Sequence, residues 1–99
     1  MKNINTIKIE QLERAASMFK AIAHPMRVAI LSLLEDGTPR TVTEIHNKLN
    51  MEQSTTSHHL GILKGKGILF SKRDGKNTYY YLKNESLSKL MDCINRCSS

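Results

Sequence analysis

Ninety-nine residues limit this chain to one small domain, with a single core and a high ratio of surface to volume. An apolar share of 39% and a charged share of 24% exclude a disordered chain, and no run approaches the roughly 18 apolar residues of a membrane-spanning helix. Net charge is +6, and five of those charges fall between His58 and Asn84, where Lys64, Lys66, Lys72, Arg73, Lys76 and Lys83 meet only Asp74, a basic surface suited to nucleic acid or an anionic membrane.

The amino-terminal MKNINTIKIEQ lacks the apolar core of a signal peptide, and Cys93 and Cys97, four residues apart near the end, are placed to staple little of a fold. Both features lead us to expect a cytoplasmic protein. From about Glu10, Leu12, Ala15, Ala16, Phe19 and Ile22 recur at three- and four-residue spacing, the apolar stripe of a first helix. His24-Pro25 interrupts it, and proline in a first turn predicts a second helix from Pro25 with Met26, Ile30, Leu33 and Leu34 as its stripe and Gly37 as its stop. Thr41-Val42-Thr43-Glu44 has the spacing of a capping box, which opens a short third helix with Ile45 and Leu49 inward and Asn50 as a left-handed terminator. Only Met51 to Gln53 remain before Ser54, the expected N-cap of a fourth helix, so the pair makes a helix-turn-helix.

The fourth helix should end near Gly65 to Gly67. β-Branched and aromatic residues on either side of Asp74-Gly75 then predict a hairpin, and Leu87, Leu90, Met91 and Ile94 predict a last helix. The expected order is ααααββα, mainly α with a β-hairpin.

At 100° per residue, Thr56, Leu60 and Leu63 of the fourth helix turn inward while Thr55, His58 and Ile62 fall opposite, with Gln53 and Ser54 at the tip and Ser57 on a flank. These short groups both donate and accept hydrogen bonds, as base edges and phosphate oxygens require. The helix amino terminus adds backbone N–H groups for a phosphate, and no carboxylate after Glu52 repels one. The DNA-binding set is therefore Gln53, Ser54, Thr55, Ser57 and His58, with Lys64 and the hairpin's Lys72, Arg73 and Lys76 supplying charge. Ordinary exposed polar residues and a hairpin kept charged for solubility are the plainer alternatives.

The stretches AIAHPMRVAILSLLEDG, VTEIHNKLNMEQSTTSHHLGILKGKGIL and KRDGKNTYYYL resemble the ArsR/SmtB family of winged-helix transcriptional repressors, from about Phe19 to Leu82. The run Ser57 to Leu60 is the most specific part. This resemblance implies a winged helix-turn-helix domain spanning 1–99 and a homodimer joined through the first and last helices, about 10–23 and 85–97. It also implies fourth helices in successive major grooves of a palindromic operator. On that comparison Gln53, Ser54, Ser57 and His58 read bases, Arg73 and Lys76 are wing contacts, and His59 is partly buried. Thr56 departs from the family's usual aliphatic residue, and its hydroxyl is expected to bond back to a carbonyl.

The metal sites of the family need a Cys-x-Cys pair where this chain has Thr41 and Thr43, or histidines on a last helix that here carries Asp92 without one. No resident metal or cofactor is expected. Cys93 and Cys97 fit packing in a dimer interface, with a soft-metal, metalloid or redox role as the alternative. His24 reads as a helix-boundary residue and His46 as an exposed one. No phosphate loop or nucleophile elbow suggests an enzyme. The expected function is a homodimeric repressor of double-stranded DNA, and the rival reading is a winged helix that docks an acidic protein.

Overall fold

A computed structural model describes residues 9–82. Its elements are α1 (Ile9–Ile22), α2 (Pro25–Leu33), β1 (Arg40–Thr41), α3 (Val42–Leu49), α4 (Gln53–Gly65), β2 (Phe70–Asp74) and β3 (Asn77–Tyr81). The predicted last helix, with Cys93 and Cys97, lies outside the described residues.

Local chemistry sets most boundaries. His24 takes an extended conformation and caps α2, its Nδ1 accepting from the Met26 amide at 3.2 Å, while Pro25 fills the first turn where no N–H is needed. At α3 the capping box is complete: the Glu44 amide donates to Thr41 Oγ1 at 3.2 Å and the Thr41 amide donates to Glu44 Oε1 at 3.1 Å. Those bonds to Thr41 hold the Glu44 carboxyl below its usual range. Replacing Thr41 by alanine is expected to cost about 1 kcal/mol in a denaturant titration, and serine to restore most of it.

Asn50 ends α3 in the left-handed region, with φ 53° and ψ 46°. The Met51 amide reaches back to the His46 carbonyl at 3.0 Å and the Asn50 amide to that of Asn47 at 3.3 Å, the bond pair of a Schellman motif. Gly67, with φ 74°, repeats the motif after α4 through Ile68 to Leu63 and Gly67 to Lys64. Both stops are tight enough to fold the chain back sharply.

Ser54 is not the N-cap of α4. Glu52 holds that position without a side-chain bond, and Ser54 lies inside the first turn. The Glu52 carbonyl already receives the Thr56 amide at 3.0 Å and the Thr56 hydroxyl at 2.9 Å, so the ladder begins two residues earlier than the serine suggests. The hydroxyl's bond to a carbonyl follows the expectation for Thr56, which is fully buried.

The sheet has order β1-β3-β2 and is antiparallel throughout. Strand β1 is an addition to the expected order. It pairs Arg40 with Tyr80 and Thr41 with Tyr79, tying the entrance of α3 to the hairpin. Asp74 pairs with Asn77, so the two turn residues are Gly75 and Lys76, one position later than Asp74-Gly75. Gly75 takes φ 64°, a conformation that a primed hairpin turn demands of its first central residue.

The core gathers Ala21, Ile22, Ile30, Leu31, Leu34, Ile45, Leu60, Leu63, Ile68, Leu69 and Leu82. It draws on every helix and on the segment leaving α4. The stripe of α1 is largely uncovered by this set: Leu12 is 43% and Phe19 58% exposed, and only Ala21 and Ile22 at its end are buried. In α2, Leu31 is buried and Met26 exposed, a shift of the stripe from its expected centre.

Candidate nucleic-acid interface

The turn Asn50 to Glu52 sets α3 and α4 as a helix-turn-helix, and both helices pack on α2. Burial divides α4 cleanly. Thr56, His59, Leu60 and Leu63 are buried, while Gln53, Ser54, Ser57, His58, Gly61 and Lys64 are exposed at helical spacing along the other side. Thr55 and Ile62 are half-buried at the margin rather than fully outward. The open face therefore presents an amide, two hydroxyls, an imidazole and an ammonium, with no carboxylate beyond the N-cap residue Glu52.

On the hairpin, Lys72, Arg73 and Lys76 are all exposed. Successive strand residues point to opposite faces, so Lys72 shares a face with its partner Tyr79, while Arg73 shares one with Thr78 and with Tyr80, which packs on the core. Lys76 stands in the turn itself. Among the described residues none of Lys64, Lys72, Arg73 and Lys76 is held in an ion pair, so their charges stay available to a polyanion.

Behind the open face lies a polar junction of His24, read from the sequence as a helix-boundary residue, His59, expected to be partly buried, and Arg27, which had no expected role. Arg27 of α2 donates from Nε to Nδ1 of His59 at 3.2 Å and from Nη1 to the Ala21 carbonyl of α1 at 3.2 Å. The His59 ring lies 4.7 Å from the His24 ring and 5.5 Å from that of His58. Burial, then the positive potential of His24, Arg27 and His58, pushes the His59 pKa below the ordinary imidazole range. The one available signal was the His24-Pro25-Met26-Arg27 stretch, whose arginine had no evident partner at helical spacing. A second tether runs from Lys66 Nζ, just past α4, to Ser17 Oγ of α1 at 2.7 Å.

Thr41 is committed to the capping box. Among the described residues no group of three or more histidines, cysteines or carboxylates is placed to hold a metal ion. His46 is half-buried rather than exposed.

A helix-turn-helix whose second helix opens one side to solvent, followed by a charged hairpin within a three-stranded sheet, defines a winged-helix domain of the DNA-binding type. Residues 24–70 match the profile described as bacterial regulatory protein, arsR family. The chain is 35% identical over 86 residues to the uncharacterized HTH-type transcriptional regulator MJ1325 of Methanocaldococcus jannaschii, covering 87% of this chain and 97% of that protein. It is 35% identical over 89 residues to the transcriptional repressor PagR of Bacillus anthracis, covering 90% and 89% of the two. The PagR crystal structure superposes with TM-score 0.79 over 88% of this chain and 99% of its own. The solution structure of the homodimeric winged helix-turn-helix domain Mb0332 from Mycobacterium bovis, a possible ArsR-family regulator, superposes with TM-score 0.81 at 28% identity, over 99% of this chain and 87% of that one. This chain belongs to the ArsR family of transcriptional regulators.

Proposed function

We propose that the protein is a cytoplasmic, homodimeric repressor that binds a palindromic operator with α4 of each protomer in the major groove. The observation that carries this reading is the division of α4, whose open side offers only short hydrogen-bonding groups and one lysine. Gln53, Ser54, Thr55, Ser57 and His58 then set sequence preference, and Lys64, Lys72, Arg73 and Lys76 supply phosphate contacts that fix register without reading sequence. The uncovered apolar side of α1, with Leu12 and Phe19, supports a dimer through residues 10–23 together with residues 85–97, the latter outside the described residues. That PagR is a repressor and Mb0332 a homodimer agrees with this assignment. Half-sites about one helical turn, or 10 base pairs, apart follow from two-fold symmetry.

Selection from a random duplex library, followed by anisotropy titration of the selected duplex against a scrambled one, tests the reading. A preference of about a thousandfold or more, with half-sites in inverted repeat, is the expected result. Equal, weak binding to both duplexes would favour a basic face that docks an acidic protein. Within the selected site, His58→Ala should relax the preference at the base pair it reads by about 1–3 kcal/mol and leave the other positions unchanged. Intact preference at every position would remove His58 from the reading set.

A further inference from the structure

Arg27 and His59 join three helices through two hydrogen bonds of one guanidinium. The Arg27 guanidinium binds the Ala21 carbonyl at the end of α1 and, from α2, the Nδ1 of His59 on the buried side of α4. Because Nε of arginine is always a donor, this bond exists only while His59 Nδ1 is unprotonated and accepting. His24 packs beside it, and its Nδ1 accepts from the Met26 amide at the cap of α2.

The charged and titratable groups that bear on His59 are His24 at the α1–α2 junction, Arg27 on α2 and His58 on its own helix. Among the described residues α1 and α3 bring none to it, and α1 offers a carbonyl to Arg27 instead. None of these neighbours is a carboxylate.

We propose that Arg27 and His59 are positioning residues for the recognition helix, and that their bond is an acid-labile latch whose opening lowers DNA affinity. Protonation of His59 at Nδ1 turns its acceptor into a donor facing another donor, and sets a new positive charge against the guanidinium and the His24 ring. Arg27 then has no partner on α4, and its brace between α4 and the α1–α2 junction is lost, leaving the Lys66 to Ser17 bond and the core packing to hold the helix. DNA binding calls for the helix in one orientation relative to the wing, so the unprotonated form is the binding form. The depressed pKa of His59 has the sign this demands. Above about pH 6.5 the residue is neutral whether the chain is folded or not; as pH falls below that value the unfolded chain takes up a proton that the latched fold does not, and stability declines until the folded group protonates as well.

The proposal rests on the DNA-binding reading, and its test keeps the two apart. Affinity for the selected duplex is measured at constant ionic strength from about pH 7.5 to about pH 5 for the wild type and for His59→Asn, whose Oδ1 preserves an acceptor near Nδ1 without titrating. The ratio of wild-type to variant affinity is expected to fall by up to about tenfold per pH unit below the His59 midpoint, the limit for one linked proton. A ratio constant across the range would overturn the latch. In the DNA-free wild type, nuclear magnetic resonance follows the His59 ring carbons, the Arg27 Nε–H and the exchange protection of the α4 amides. Loss of the Arg27 signal and of that protection at the His59 midpoint supports the latch even where the asparagine variant fails to fold. Signals that ignore the midpoint refute it. Failure of the wild type to bind any duplex at about pH 7.5 would end the DNA reading and with it the proposed output.

Discussion

Leu60→Ala is expected to destabilise the domain by about 2–5 kcal/mol, read as a fall in denaturation midpoint by circular dichroism. Leu60 is fully buried in the cluster that also holds Ile45, Leu63 and Ile30, so truncation leaves a cavity among side chains drawn from three helices. A domain of this size has about 5–15 kcal/mol in all, and each lost kcal/mol lowers its melting temperature by about 4–8 °C. Much of the stability therefore depends on one methyl-bearing branch of the recognition helix. The exposed Ser57, one turn earlier, provides the contrast: its alanine variant should stay within about 0.5 kcal/mol of wild type. Equal loss at both positions would mean that the division of α4 into a packed and an open side is misplaced.

Removing Arg73 and Lys76 together should weaken binding to every duplex by a similar factor and flatten its dependence on salt. Each phosphate contact contributes about 0.9 to the slope of log affinity against log salt, so loss of both cations in both protomers of the proposed dimer should lower that slope by up to about 4. Affinity measured at several salt concentrations checks this, with the selected and scrambled duplexes run in parallel. Because these side chains stand at the end of a hairpin, free of ion pairs, no change in stability should accompany the loss. Lys72→Ala offers a sharper comparison. Lys72 lies on the sheet face opposite to Arg73, so comparing its loss with that of Arg73→Ala weighs the two faces of the wing as phosphate contacts. A change of sequence preference instead of a uniform loss would make the wing a reader of bases.

The two binding effects and the acid response fall on different sides of the same helix. Gln53, Ser54, Ser57 and His58 lie open, whereas His59 is buried against Arg27. Adjacent histidines at 58 and 59 therefore serve different ends. The reason is placement, not residue type: one imidazole faces solvent, and the other lies beside a guanidinium.

Much of this was legible in the sequence because it depends on bonds between residues close along the chain. Pro25 in a first turn, the Thr41 and Glu44 pair, left-handed Asn50 and the Thr56 hydroxyl's bond to a carbonyl each involve partners no more than about five residues apart, the range of a helical turn and its caps. Helical spacing likewise placed Leu60 and Leu63 inward and His58 outward, with Ser57 on a flank. Those local terms are sufficient to define a helix-turn-helix followed by a basic hairpin. Other features were decided only by packing across the fold. Two-residue β1 has no periodicity of its own and exists because Tyr79 and Tyr80 offer it hydrogen bonds. The start of α4 moved from Ser54 to Glu52 because the buried Thr56 fixed the first carbonyl of the ladder. Apolar spacing on α1 announced a buried stripe but could not say what would cover it, and in the described residues Phe19 remains open. The Arg27 to His59 bond spans 32 positions, so neither side chain reveals its partner locally. Sequence thus determined the helices, their caps and the charge of the wing, which are short-range properties. Tertiary structure decided the register of the sheet, the first residue of the recognition helix and the histidine that meets an arginine, because each depends on groups that meet only when the chain has folded.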